Sequence, residues 1–113
     1  MSRRYRVLWA HAAERDLIAI LQSISEDDPV NALTILKKIR SGASGLARFP
    51  GRGRVVPELG ALGVTTYREL IIRPWRIIYR LSEGKVYVLA AWDSRRNIED
   101  LLLQRFIRLA DKD

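Results

Sequence analysis

The sequence contains no cysteine, and among its 113 residues histidine occurs once, as His11. Without thiols there is no disulfide framework, zinc ribbon or cysteine nucleophile, and a lone imidazole has no second histidine with which to hold a metal. No metal and no cofactor are expected. Long apolar runs are missing too, since none approaches the roughly 18 residues of a membrane-spanning helix. Met1 to Arg6 is polar and basic with no apolar core behind it, unlike a secretory leader. No membrane association is therefore expected, and the cytoplasm is the expected location. Internal repeats and low-complexity tracts are also absent. With 48% hydrophobic and 29% charged residues, the composition fills one core, so a single domain over residues 1–113 is expected.

Acidic residues are scarce relative to basic ones, at 13 Asp+Glu against 20 Lys+Arg, a formal net charge of +7. The excess belongs to the middle of the chain, where Arg48, Arg52, Arg54, Arg68, Arg73, Arg76, Arg80, Lys85, Arg95 and Arg96 outnumber Glu58, Glu69, Glu83 and Asp93. Almost all of those cations are arginines, whose planar fork suits phosphate or carboxylate better than the point charge of lysine does. An anionic partner is one reading, and a solvated basic surface with a few structural ion pairs is the other.

Tyr5, Val7 and Trp9 alternate with Arg6 and Leu8, which predicts a first strand over residues 4 to 9. From His11 the period changes to that of a helix, with Ala13, Leu17, Ile20, Leu21 and Ile24 on one face as far as about residue 25. Asp28 and Pro29 then supply a capping carboxylate and a first-turn proline, and a second helix runs to about Ala47. The short link between them predicts an antiparallel hairpin. Phe49 to Thr66 is too dense in Pro and Gly for a helix or long strand and reads as a loop, with room for a short strand near Val55. Tyr67 to Arg73, Trp75 to Leu81 and Lys85 to Asp93 are β-rich, and the turn at Ser82, Glu83 and Gly84 favours an antiparallel meander. A third helix follows Asn97, with Ile98, Leu101, Leu102, Phe106 and Leu109 on one face. The expected fold is α+β: N-terminal strand, two-helix hairpin, three-stranded antiparallel meander and C-terminal helix.

Arg68 shares a strand face with Leu70 and Ile72, and Arg76 shares one with Ile78 and Arg80. If the two faces lie side by side, Arg68, Arg76 and Arg80 project to one side of the sheet, and Arg95 and Arg96 join from the end of the last strand. Such a cluster suits a polyanion.

A first strand ending in an aromatic is followed by Ala-x-x-Asp-Leu at Ala13 to Leu17 and Asp-Pro-x-x-Ala at Asp28 to Ala32. Then come Leu46, Pro50, Gly53-Arg54, Glu58-Leu59, Tyr67-Arg68-Glu69-Leu70, Trp75-Arg76-Ile77-Ile78-Tyr79-Arg80 and Asp93-Ser94-Arg95-Arg96-Asn97. In this order, over nearly the whole chain, they resemble the RelE/ParE superfamily of toxins from bacterial type II toxin-antitoxin modules. The resemblance implies a growth-inhibiting toxin neutralised by a cognate antitoxin whose extended or helical tail wraps it. It also implies two alternative targets. RelE-like members cleave messenger RNA on the ribosome, and ParE-like members inhibit DNA gyrase without being enzymes.

RNA cleavage needs a group to activate the ribose 2′-hydroxyl, cations for the transition-state charge, and an acid for the leaving oxygen. Arginines supply only the cations. The family's pattern often carries His before the arginine pair, where this chain has Trp92-Asp93-Ser94, and no tyrosine directly follows the pair. Gyrase inhibition is therefore the preferred reading, and the catalytic residues are unknown. If the chain is a ribonuclease, the candidates are Arg68, Arg76, Arg80, Tyr79, Arg95 and Arg96; the same arginines are the candidate contacts for target or antitoxin. Tyr67 and Tyr87 are further tyrosine candidates. Structural alternatives stand beside these roles: an ion pair of Arg68 with Glu58 or Glu69, packing for Tyr79, Trp75 and Trp92, and a surface position for His11. A third and less favoured function is a non-toxic RNA-binding module, for which Tyr67 and Tyr87 would be the stacking platforms.

Overall fold

The computed structural model describes the backbone of residues 4–111 and the side chains of residues 4–105, so Phe106 and Leu109, assigned above to an apolar helix face, lie outside the described side chains. The first strand, β1 (Arg6–Trp9), starts two residues later than the alternation suggested. Helix α1 (His11–Ser25) buries Ala13 and Leu17 completely. Helix α2 (Pro29–Ser44) begins as its sequence requires: the Asn31 N–H donates to the Asp28 carboxylate at 3.1 Å, and Pro29 occupies a position whose N–H would have no partner. A 3₁₀ turn at Gly45–Ala47 carries the helical path on to the expected end. Glu14, in the first turn of α1, grips Arg40, near the end of α2, through two hydrogen bonds of 2.9 and 3.1 Å, which fixes the hairpin as antiparallel.

One five-stranded sheet unites the meander, the first strand and the short strand near Val55 that the sequence left room for. Strands β3 (Tyr67–Ile72), β4 (Trp75–Ser82) and β5 (Lys85–Asp93) form that meander. Glu83 and Gly84 turn between the last two with φ of 47° and 76°, the left-handed pair that matches a two-residue hairpin to strand twist. The short strand β2 (Arg54–Val55) pairs antiparallel with Arg68 and Glu69, and β1 lies parallel to β5, so the order is β1-β5-β4-β3-β2. Alternation shows that a strand exists, but it carries no information on which neighbour it joins. An element the sequence reading did not include is the single helical turn α3 (Pro57–Gly60), inside the stretch whose prolines and glycines read as loop; Pro57 sits in the first turn, where proline is tolerated. Helix α4 (Ile98–Asp111) closes the chain. Among the described residues, no helix is long and apolar enough to cross a membrane.

Each face of the sheet is covered. Trp75, Ile77, Ile72, Val88 and Ala91 pack on Ala13, Leu17, Ile39 and Ala43 of the hairpin. On the opposite face Ile78, Ala90 and Trp92 meet Val56, Ile98 and Leu102. Simple alternation along β5 cannot produce this division. A bulge at Leu89, between the pairs Ile78–Ala90 and Tyr79–Val88, advances the phase by one residue, so that Val88 and Ala91 face the same way.

The loop before β2 is fastened to the sheet by Tyr79, which is fully buried against Leu46 and Val86. Its hydroxyl donates to the Pro50 carbonyl at 2.8 Å and accepts from the Gly53 N–H at 2.9 Å. Gly53 passes so close that a Cβ there would stand 2.5 Å from the Glu69 carbonyl oxygen and 2.6 Å from the tyrosine hydroxyl. Gly53→Ala should therefore displace the loop and lower stability by roughly 1–3 kcal/mol, to be read in a urea titration, whereas Gly51→Ala, with nothing near its Cβ position, should leave the midpoint within about 0.5 kcal/mol of wild type.

Candidate functional site

The five arginines expected to converge do not share one surface. Cross-strand partners lie on the same face of a sheet, and Arg68 pairs with Tyr79, so it projects on the hairpin side. Arg76 and Arg80 lie in phase with Ile78, on the face covered by α3 and α4. The expectation of one arginine-bearing face is corrected by this register: the strands lie side by side with the opposite phase. Arg68 donates to the Gly53 carbonyl at 2.7 Å rather than pairing with Glu58 or Glu69.

Arg76 is buried and occupied by two carboxylates. Its Nη1 and Nη2 donate to Glu58 at 2.8 and 2.6 Å, and its Nε donates to Glu69 at 2.6 Å. The other Glu69 oxygen accepts from the Nε of Arg54 at 2.8 Å. The side chain of Glu69 is 0% exposed and that of Arg76 is 9% exposed, so this is an interior charge network in which each buried charge has a bonded counter-charge. Hydrogen bonds from Arg76 hold the Glu58 carboxyl below its usual range, and those same bonds raise the Arg76 pKa. Through Glu58 the network pins α3 to the sheet, above the buried Val56.

The remaining candidates stand apart. Arg80 is half-buried and lies over the Tyr87 ring at 5.2 Å, with Tyr67 as its partner on the other neighbouring strand, so Tyr67 and Tyr87 flank an arginine. Arg95 is exposed and turns back on Asp93 with bonds of 3.0 and 2.8 Å; these bonds lower the Asp93 pKa to about 2. Arg96 is exposed, and its charge reaches Asp16 and Asp93. Burial pushes the Tyr79 hydroxyl pKa up, and its two hydrogen bonds use the hydroxyl as both donor and acceptor. His11 is exposed at the start of α1, as read from the sequence. Trp75 and Trp92 are core residues. Among the described residues, no group of three or more His, Asp or Glu side chains could hold a metal.

Two features escaped the sequence reading. Asp16 of α1 accepts from the Ala91 N–H at 3.1 Å and from Arg105 of α4 at 3.1 Å, and Arg105 also caps the Leu89 carbonyl at 2.5 Å and lies 4.9 Å from the Trp92 ring. Burial raises the Asp16 pKa against these lowering contacts. Second, a groove of about 980 Å³ runs beside β3, with exposed Lys38, Arg52, Arg54 and Arg73 at its sides and Leu70 and Ile72 beneath. Its cations come from α2, the loop, β2 and the β3–β4 turn, so no sequence run displays them.

Residues 7–98 match the family described as ParE toxin of type II toxin-antitoxin system, parDE. Toxin RelE2 of Caulobacter vibrioides is 32% identical over 85 residues, covering 74% of this chain and 89% of the relative. Toxin ParE3 of the same organism is 29% identical over 94 residues, covering 82% and 90%. Among solved structures, the chromosomal ParDE toxin-antitoxin system from P. aeruginosa superposes with a TM-score of 0.68 at 20% identity, over 80% of this chain and 96% of that one. The toxin-antitoxin complex RelBE2 from Mycobacterium tuberculosis gives 0.55 at 20% identity, over 82% and 94%. At that identity the structural likeness speaks for the fold.

The ion network has a measurable signature. Arg76→Gln leaves the Glu69 carboxylate buried with one counter-charge fewer and should cost on the order of 3–5 kcal/mol, while Arg80→Gln should cost about 1 kcal/mol or less. The pH dependence has a definite sign. The Glu58 carboxyl is lowered from 4.5 in the folded state, so the unfolded chain binds more protons below that pH. The stabilisation is complete above about pH 4.5 and is lost as pH falls through the lowered folded value. Denaturation measured between pH 3 and 6 should show this loss in wild type and a shallower slope in Glu58→Gln.

Proposed function

The chain belongs to the ParE toxin family of type II toxin-antitoxin systems, and we propose that it arrests growth by inhibiting DNA gyrase, without cleaving RNA, and is held inactive by a cognate antitoxin. The observation that carries this reading is the engagement of Arg76 by Glu58 and Glu69. A ribonuclease site brings a base, an acid and free cations to one phosphate. Here the central arginine is neutralised, the Tyr79 hydroxyl is sealed into the loop, the Arg95 fork is spent on Asp93, and Arg68 lies on the other face of the sheet. The relatives' names fall on both sides, as RelE2 and ParE3, so the choice of target rests on this chemistry. On this reading the cytoplasm is the site of action.

The antitoxin is assigned to the outer side of the hairpin. Ile18, Val30 and Leu33 are exposed there, Val30 by 75% and Leu33 by 60%, and Ile18 and Leu33 line an apolar cleft of about 280 Å³ between α1 and α2. An amphipathic tail of the kind the family's antitoxins carry would cover them.

Expression of the chain alone should arrest growth, and the purified protein should inhibit gyrase supercoiling while messages on the ribosome stay intact by primer extension. Codon-dependent message cleavage with no effect on gyrase would assign the chain to the RelE-like class instead. Leu33→Asp, at an exposed position, should preserve folding and toxicity but abolish rescue by the coexpressed antitoxin. Full rescue of that variant would move the antitoxin elsewhere.

A further inference from the structure

The groove beside β3 combines an open strand edge with unpaired charge. Strand β2 pairs only with Arg68 and Glu69. The Val56 N–H donates to the Tyr67 carbonyl, so Tyr67 turns its main chain outward, and the two-residue period of a strand turns that of Ile71 the same way. Ile71 lies beyond the end of β2. Among the described residues its N–H and C=O have no hydrogen-bond partner, and the residue is 42% exposed. An edge of this kind is where a further strand adds, through its main chain.

Charge selects what can add there. Lys38, Arg52 and Arg73 are exposed around the groove with no ion-pair partner among the described residues, and no carboxylate lines it. A second copy of this chain, edge to edge, would bring the same cations against them. Phosphates of a nucleic acid would meet the cations, but they only accept hydrogen bonds and would leave the Ile71 carbonyl without a donor. An acidic peptide in extended form satisfies both the charge and the edge. The faces also differ. Ile71 pairs with Arg76 and so lies on the α3 and α4 side, whereas Ile72 packs toward α2, which carries Lys38. An added strand therefore alternates, with acidic residues toward Lys38 and Arg52 and apolar ones beside Ile71. Arg52 also lines a second cavity with Phe49, whose 66% exposure leaves it for a further apolar residue of the same segment to cover.

We propose that the groove takes an acidic, extended segment of the target protein as an added strand on β3. This rests on the reading of the chain as an inhibitor of gyrase and names the surface by which it grips its target. The antitoxin's amphipathic tail is matched instead to the apolar cleft of the hairpin. Leu36 of that cleft and Lys38 of the groove lie within one turn of α2, so an antitoxin seated in the cleft reaches the border of the groove and keeps the target out.

Fluorescence anisotropy of a labelled, end-blocked octapeptide of alternating Glu and Val with the purified chain tests it. That peptide should bind and an alternating Lys and Val peptide should not. An alternating Glu and Pro peptide, equal in charge but without half of the main-chain donors, should bind roughly tenfold more weakly or worse. Ile71→Pro removes the outward N–H at an edge position where proline is tolerated; by circular dichroism it should be folded, and it should bind the Glu and Val peptide roughly tenfold more weakly. Lys38→Glu with Arg73→Glu should abolish binding of that peptide and gain binding of the Lys and Val one, whereas Arg6→Glu with Arg15→Glu, the same charge change elsewhere, should keep the wild-type preference. Excess Glu and Val peptide should relieve inhibition in a supercoiling assay. The proposal is overturned if the Glu and Pro peptide binds as well as the Glu and Val peptide, if folded Ile71→Pro binds as wild type, or if the two double variants behave alike. It is equally overturned if an oligothymidylate of equal charge binds more tightly than the peptide, or if saturating peptide leaves gyrase inhibited. Peptide binding with no gyrase inhibition by the wild-type chain alone would overturn the gyrase reading and still support the strand site.

Discussion

An arginine in the interior of a small domain is tolerable only if its charge is met, and much of one side of this fold is arranged around that requirement. Arg76 is held by Glu69 from the neighbouring strand and by Glu58 from a single helical turn. The turn brings Val56 into the core beneath α4, and Arg54 closes the remaining Glu69 oxygen, so the edge strand is tied into the same network. Such a network contributes modestly to net stability, because desolvation offsets much of the attraction. Its cost falls on the interior members, since displacing Arg76 leaves the fully buried Glu69 carboxylate with Arg54 as its one remaining counter-charge.

The helical hairpin, the three-stranded meander and the last helix were legible because each repeats a single period over enough residues to be distinguished from its alternatives. Asp28 and Pro29 marked the start of α2, and Glu83 with Gly84 marked the tight turn, for local steric reasons that need no tertiary context. The rest depended on information between strands. The parallel partner of β1 is a choice made in space, and the bulge at Leu89 reverses the phase of a strand that carries no charged residue between Lys85 and Asp93. The arginines were recognised as unusual, but sorting them needed the register. Arg68 faces Tyr79, and Arg76 faces the two glutamates that cancel it. Phe49 was obscured because it lies among prolines and glycines with no periodicity to show which way it points.

The cations therefore differ in what the fold asks of them. Arg40, Arg54, Arg76, Arg95 and Arg105 are engaged with carboxylates and belong to the fold. Lys38, Arg52 and Arg73 are held by the fold in one place without being used by it. The groove beside β3 is thus one place where positive charge is concentrated by the fold.

The pairing of β1 with β5 and of α1 with α4 has a kinetic meaning. Strand β1 finds its partner in β5, and Asp16 meets Arg105 across 89 residues. Contacts so distant in sequence close late, because the entropy of the intervening loop must be overcome before they return any stabilisation. A chain emerging from the ribosome can form its helical hairpin at once, but the first strand waits until β5 has emerged and the α1–α4 clasp until Arg105 has. The five-stranded sheet and the clasp exist only once β5 and Arg105 have been made, so a nascent product truncated before β5 lacks the finished sheet.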